Sequence, residues 1–104
     1  MADYIFRKEV FAGIVIDTIG LGKNMHLCHA AIKKGTVLPV HSHEHEQASI
    51  IVSGQITFVV NGEKKICPAG TGLVFPPNVP HGGTVDEDTV VCDVFVPLRQ
   101  DYLK

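Results

Sequence analysis

The sequence predicts an all-β chain folded as an antiparallel β-sandwich or jelly roll. Three observations lead there. Apolar residues fall into about nine short runs, glycine and proline turns separate those runs, and no helical period shows outside the last few residues. With 104 residues and no linker, repeat or low-complexity tract, the chain is expected to form one domain over residues 1–104.

Taken in order, residues 4–16 are apolar with polar interruptions. Gly13 and the β-branched Ile14, Val15 and Ile16 favour short strands over a helix, with an edge strand expected here. Gly20-Leu21-Gly22-Lys23-Asn24 is a turn cluster, and residues 25–32 read as a strand chiefly because turns flank them. Lys33-Lys34-Gly35 makes the next turn. Pro39 limits any ladder that residues 37–40 could join, which suits an approach to a site at a barrel mouth. Residues 48–53 form an apolar strand, Ser53-Gly54 turns, and ITFVV returns, so a short hairpin is predicted. Asn61-Gly62 is the strongest hairpin signal, since both residues tolerate the positive φ of a type I′ turn, and residues 63–67 should run back antiparallel. Pro68-Ala69-Gly70 punctuates again. A brief strand over residues 73–75 is stopped by PPNVP, a stiff loop whose fixed φ values hold His81 in place. Finally, residues 89–96 alternate, with Val91, Asp93 and Phe95 on one face and Cys92, Val94 and Val96 on the other.

Composition narrows the function. A hydrophobic fraction of 45%, a charged fraction of 19% and a net charge of −2 describe a folded protein with no basic surface for nucleic acid. No apolar run reaches membrane-helix length and MADYIFRKEV has no signal-type apolar segment, so neither a membrane nor export is expected, and the predicted compartment is the cytoplasm. The three cysteines, Cys28, Cys67 and Cys92, make no C-x-x-C pair and are read as buried thiols, with only Cys28, near two histidines, worth testing for metal. A small open β-structure leaves edges that need cover, so a homodimer is expected.

The chemistry concentrates in GTVLPVHSHEHEQASIIVSG. His41 and His43 leave the same face of an extended backbone, and Gln47 shares that parity. Imidazoles suit zinc, copper, iron and nickel, while an amide oxygen leaves the ion's charge intact, so such a site stays a Lewis acid. Each histidine could instead be a surface or structural residue, but an H-x-H pair together with His81 pinned behind three prolines favours ligation. Gln47 could also simply bond the backbone at a strand start. His45 is assigned to solvent or to a supporting role, and His26 and His29, three apart in a strand, point to opposite faces. Asp93, on an inward face beside Phe95, would have its pKa raised by desolvation or lowered by a cation, and so could shuttle a proton. Arg99 is either an ordinary tail charge or a fork for a carboxylate.

These residues resemble the cupin family, whose first motif is G-x5-H-x-H-x3,4-E-x6-G. Gly35, His41, His43, Gln47 and Gly54 match it position by position, with Gln47 where glutamate is commoner; Gly62, Pro68, Gly70 and His81 resemble the second motif. That resemblance implies the cupin double-stranded β-helix. HSHEHEQ, NGE, PPNVPHG and DVFVPLRQDYL are similar to the small cupins of pectin and alginate breakdown, which open 4,5-unsaturated monouronates into linear keto sugars. The resemblance implies a divalent metal (nickel, zinc, manganese or iron) on His41, His43, Gln47 and His81, and Asp93, Phe95 and Arg99 lining the pocket of a sugar-acid isomerase or tautomerase. Two rivals fit the same ligands: an oxygenase, marked by dependence on oxygen and ferrous iron, and a non-catalytic cupin, marked by saturable binding without product.

Overall fold

The structure is a computed structural model that describes residues 3–104; Met1 and Ala2, the first two positions of the expected domain, lie outside the described residues. Ten strands follow one another: β1 (Phe6–Phe11), β2 (Ile14–Leu21), β3 (His26–Ile32), β4 (Val37–His41), β5 (Glu46–Ser53), β6 (Gln55–Val60), β7 (Glu63–Pro68), β8 (Gly72–Phe75), β9 (His81–Val85) and β10 (Thr89–Val96). A 3₁₀ turn, Gln100–Leu103, follows. They form a six-stranded sheet in the order β1-β2-β3-β10-β5-β8 and a four-stranded sheet in the order β4-β9-β6-β7, all antiparallel, which is the jelly-roll sandwich expected.

The core lies between the sheets and draws on both, with Ile14, Ile16, Ala30, Ile51 and Val91 from the larger and Ile56, Phe58, Cys67 and Val85 from the smaller. In β10 the alternation fixes the sides, since Val91, Asp93 and Phe95 are all buried and face inward. The Asn61-Gly62 turn has both φ values positive, 50° and 81°, and Val60 pairs with Glu63 across it, as expected. β1 is the sheet edge predicted near the N-terminus, and β2 continues through Leu21, so the following turn begins at Gly22, two residues later than its glycine cluster indicates.

Two expectations are corrected. Residues 48–60 do not form a hairpin: β5 pairs with β10 and β8, whereas β6 pairs with β7 and β9. Ser53-Gly54 is a corner where the chain changes sheets. Gly54 has φ +87°, and a Cβ there would run into the Asp88 carbonyl and Thr89. The segment HGGTV is also a strand, β9, which its two glycines conceal. Among the described residues no helix is long and apolar enough to cross a membrane.

Candidate metal centre

The expected ligands come from both sheets. His41 closes β4, His81 opens β9, and the two are register partners. His43 follows in the loop, and Gln47 enters β5 between Phe75 of β8 and Phe95 of β10. One ring nitrogen from each of His41, His43 and His81 lies within 4.8 Å of the other two. The rings of His41 and His81 are 4.5 Å apart and those of His43 and His81 4.9 Å.

The main chain orients every ring. Nδ1 of His41 is 2.9 Å from the Pro39 carbonyl, that of His43 2.9 Å from the His45 carbonyl, and that of His81 2.9 Å from the Val79 carbonyl. A carbonyl only accepts, so each Nδ1 carries the proton and each Nε2 keeps a lone pair. Phe75 stacks on the His81 ring at 4.7 Å and 30°. The Gln47 amide is oriented by its NH₂, which donates to Ser49 Oγ at 3.0 Å and to Asp93 Oδ1 at 3.4 Å. Its Oε1 therefore faces His43 Nε2 at 3.1 Å. Two lone-pair atoms so placed cannot bond each other, whereas a cation among them satisfies both. Burial, and for His43 the Arg99 charge next, holds the His43 and His81 imidazoles below the usual histidine range, which favours the neutral form that ligates. Three imidazole nitrogens and a neutral amide oxygen fit a divalent transition ion.

Asp93 sits opposite Ser49 across the β10–β5 ladder and is buried. Ser49 Oγ and Gln47 Nε2 both donate to its Oδ1. Loss of water outweighs those bonds and the Arg99 charge, and raises the carboxyl to about 6. The group therefore titrates near neutrality, inside the range useful for proton transfer. It borders a cavity of about 400 Å³ that also reaches His41, Gln47, His81, Phe95 and Arg99.

Phe95 is buried and forms a floor for the Arg99 guanidinium, 4.9 Å above it, while Tyr102 lies 4.1 Å from the same group. The Arg99 fork is not open. Its Nε and Nη2 donate to the two carboxylate oxygens of Asp101 at 3.0 and 2.8 Å, because the 3₁₀ turn brings that residue back alongside. Nη1 makes no hydrogen bond among the described residues.

His45 lies beside the ligands rather than among them, and its carbonyl serves His43. His26 and His29 do point to opposite sides of β3, and neither lines the cavity. Cys28 is buried in the core, its thiol pushed up to about 12 by burial, and the metal-binding group found among the described residues contains no cysteine. Sequence reasoning missed Ser49, Phe75, Asp101 and Tyr102. Ser49 had a signal, since it shares the parity of Gln47 two residues earlier; the others are brought in by cross-strand and tail contacts.

Comparison with known proteins bears on the family and the fold. The family described as "Cupin domain" matches residues 28–96. The pectin degradation protein KdgF of Dickeya dadantii (strain 3937) is 33% identical over 98 residues, covering 92% of this chain and 89% of the relative. The structure of KdgF from Halomonas sp. superposes with a TM-score of 0.86 at 28% identity, over 92% of this chain and 91% of that one. An RmlC-like cupin from Shewanella frigidimarina NCIMB 400 gives a TM-score of 0.87 at 26% identity, over 98% and 96% of the two chains.

Proposed function

The chain belongs to the cupin family, and from that premise we propose that it is a metal-dependent enzyme that opens the ring of 4,5-unsaturated monouronates to linear keto sugars. One observation carries this reading: a buried carboxyl raised to about 6 borders the same cavity as His41, Gln47 and His81, three members of a convergent donor set completed by His43. Similarity to a pectin degradation protein supports the substrate class.

A divalent ion on His41, His43, Gln47 and His81 supplies Lewis-acid polarisation of a substrate oxygen when bound. The protein's own groups do the rest. Arg99, through the Nη1 edge that Asp101 leaves clear, receives the carboxylate, while Phe95 and Tyr102 hold the guanidinium in place. Asp93 takes the proton of the anomeric hydroxyl as the ring C–O bond breaks. It then serves the return of a proton to C4 as the enol becomes a ketone, so atoms balance and no electrons are exchanged. Its bonds to Ser49 and Gln47 fix the carboxyl for both transfers.

The test is an NMR assay of metal-loaded protein with unsaturated monouronates, following the vinylic C4 proton. Asp93→Asn and His81→Ala should each slow its loss by roughly 100-fold or more. Wild-type rates in both variants would refute the proposal. An exposed apolar outer face of the large sheet, with Ile50, Val52 and Val74, supports a homodimer as the working form. A monomer by light scattering at micromolar concentration would contradict that.

A further inference from the structure

Two histidines outside the donor set close on a single peptide group. His26 is completely buried in β3; its Nε2 is 2.8 Å from Thr18 Oγ1, and its Nδ1 accepts the Arg99 N–H at 3.1 Å across 73 residues of sequence. His45 comes from the ligand loop, with Nε2 3.2 Å from the Leu98 carbonyl. That carbonyl only accepts, so Nε2–H is the donor. The Leu98 C=O and the Arg99 N–H are the two polar ends of one peptide unit, so it is gripped at both.

The grip is retained at a cost. With Nε2 as the donor, His45 Nδ1 is an acceptor that is buried without a partner among the described residues, and a buried acceptor left unpaired destabilises the fold. Burial, then the Arg99 charge, holds His26 below the usual histidine range, which keeps the ring neutral and its Nδ1 able to accept. Past this peptide the chain leads directly to the guanidinium over Phe95, whose strand neighbours are His26 on one side and Gln47 on the other. A third tie, Lys8 Nζ to the Asp101 carbonyl at 2.7 Å, holds the end of the same tail.

We propose that His26 and His45 are positioning residues that lock the Leu98–Arg99 peptide and thereby set the Arg99 guanidinium as a receptor for the carboxylate of a monoanionic substrate. The substrate class rests on the function proposed above. The locked peptide itself does not.

Two measurements on the metal-loaded, full-length protein separate these. The first is hydrogen exchange of the Arg99 amide. His26→Leu should accelerate it at least 100-fold, and His26→Asn, whose amide oxygen can accept the same bond, should recover most of the protection. The second is steady-state turnover of an unsaturated monouronate. His26→Leu and His45→Ala should raise KM at least 10-fold with kcat within 3-fold of wild type and with zinc affinity unchanged. Should His26→Leu fail to fold, His45→Ala, at a half-buried site, carries both readings. Unchanged Arg99 exchange in the variants, or a loss of kcat at constant KM, overturns the proposal. Absence of turnover by the wild type removes the uronate reading and leaves the exchange measurement to decide the lock.

Discussion

Asp93→Asn in chelated, metal-free protein isolates the buried carboxyl. In the folded chain the group is raised from 3.8 to about 6, and each unit corresponds to about 1.4 kcal/mol between protonation states. Because the folded-state value lies above the unfolded one, the acid contributes stability that is complete below about pH 4 and is lost as the pH rises through about 6. The asparagine variant has no such proton to lose. Its stability relative to wild type should therefore climb by about 2 to 3 kcal/mol between pH 4 and pH 8, equivalent to roughly 10–20 °C in relative Tm for a chain of this size. Any fixed cost of the amide against Ser49 is independent of pH and drops out of that slope. The imidazoles of His26, His43 and His81 are shifted down, so their contribution to stability is lost as the pH falls below their unfolded value, but they are present in both proteins and cancel. Urea denaturation across this pH range makes the measurement. Parallel curves for the two proteins, or a wild type that gains on the variant as the pH rises, would refute the assignment of Asp93 as a desolvated acid.

Zinc or nickel at one hundred times its Kd should stabilise the chelated wild type by about 2.7 kcal/mol, and His43→Ala or His81→Ala should abolish the gain in a thermal melt. Phe75→Leu removes the ring stacked on His81 and should cost about 1 kcal/mol, the worth of an aromatic pair; weaker metal binding by calorimetry, with an unchanged circular dichroism spectrum, is the expected companion. Gly83→Ala would press a Cβ onto the Thr57 carbonyl and Phe58 Cα in β6; overpacking of this kind costs about 1–3 kcal/mol, visible as a lower urea midpoint.

Local chemistry made much of this molecule legible. β10 was readable to the residue because its alternation of buried and half-buried positions is unbroken, and the Asn61-Gly62 turn because few other pairs accept two positive φ values. His41, His43 and Gln47 share one parity in HSHEHEQ, but the strand stops at His41 and resumes at Glu46, and His45, of the same parity, turns away to the Leu98 carbonyl. β9 was not readable, since Gly82 and Gly83 are there to let neighbouring backbone approach: a Cβ on Gly82 would stand 2.7 Å from the Leu38 carbonyl. Its glycines look like a loop until β4 and β6 are in place on either side. The sheet change at Gly54 escaped because a turn and a corner share one composition. Asp101 on the Arg99 fork, and His26 under the Arg99 amide, are joined by tail geometry that no periodicity encodes.

The three imidazoles take their aim from carbonyls of residues 39, 45 and 79, each two positions from its own ring. The direction of every lone pair is thus inherited from the main chain rather than negotiated among neighbouring side chains. Cavity-wall residues such as Leu38, Phe58 or Tyr102 can then be exchanged for others of similar bulk, reshaping what the cavity admits while the three imidazoles keep their arrangement. Such a chain pairs a donor cluster fixed by its main chain with a replaceable side-chain lining, and the two can vary independently.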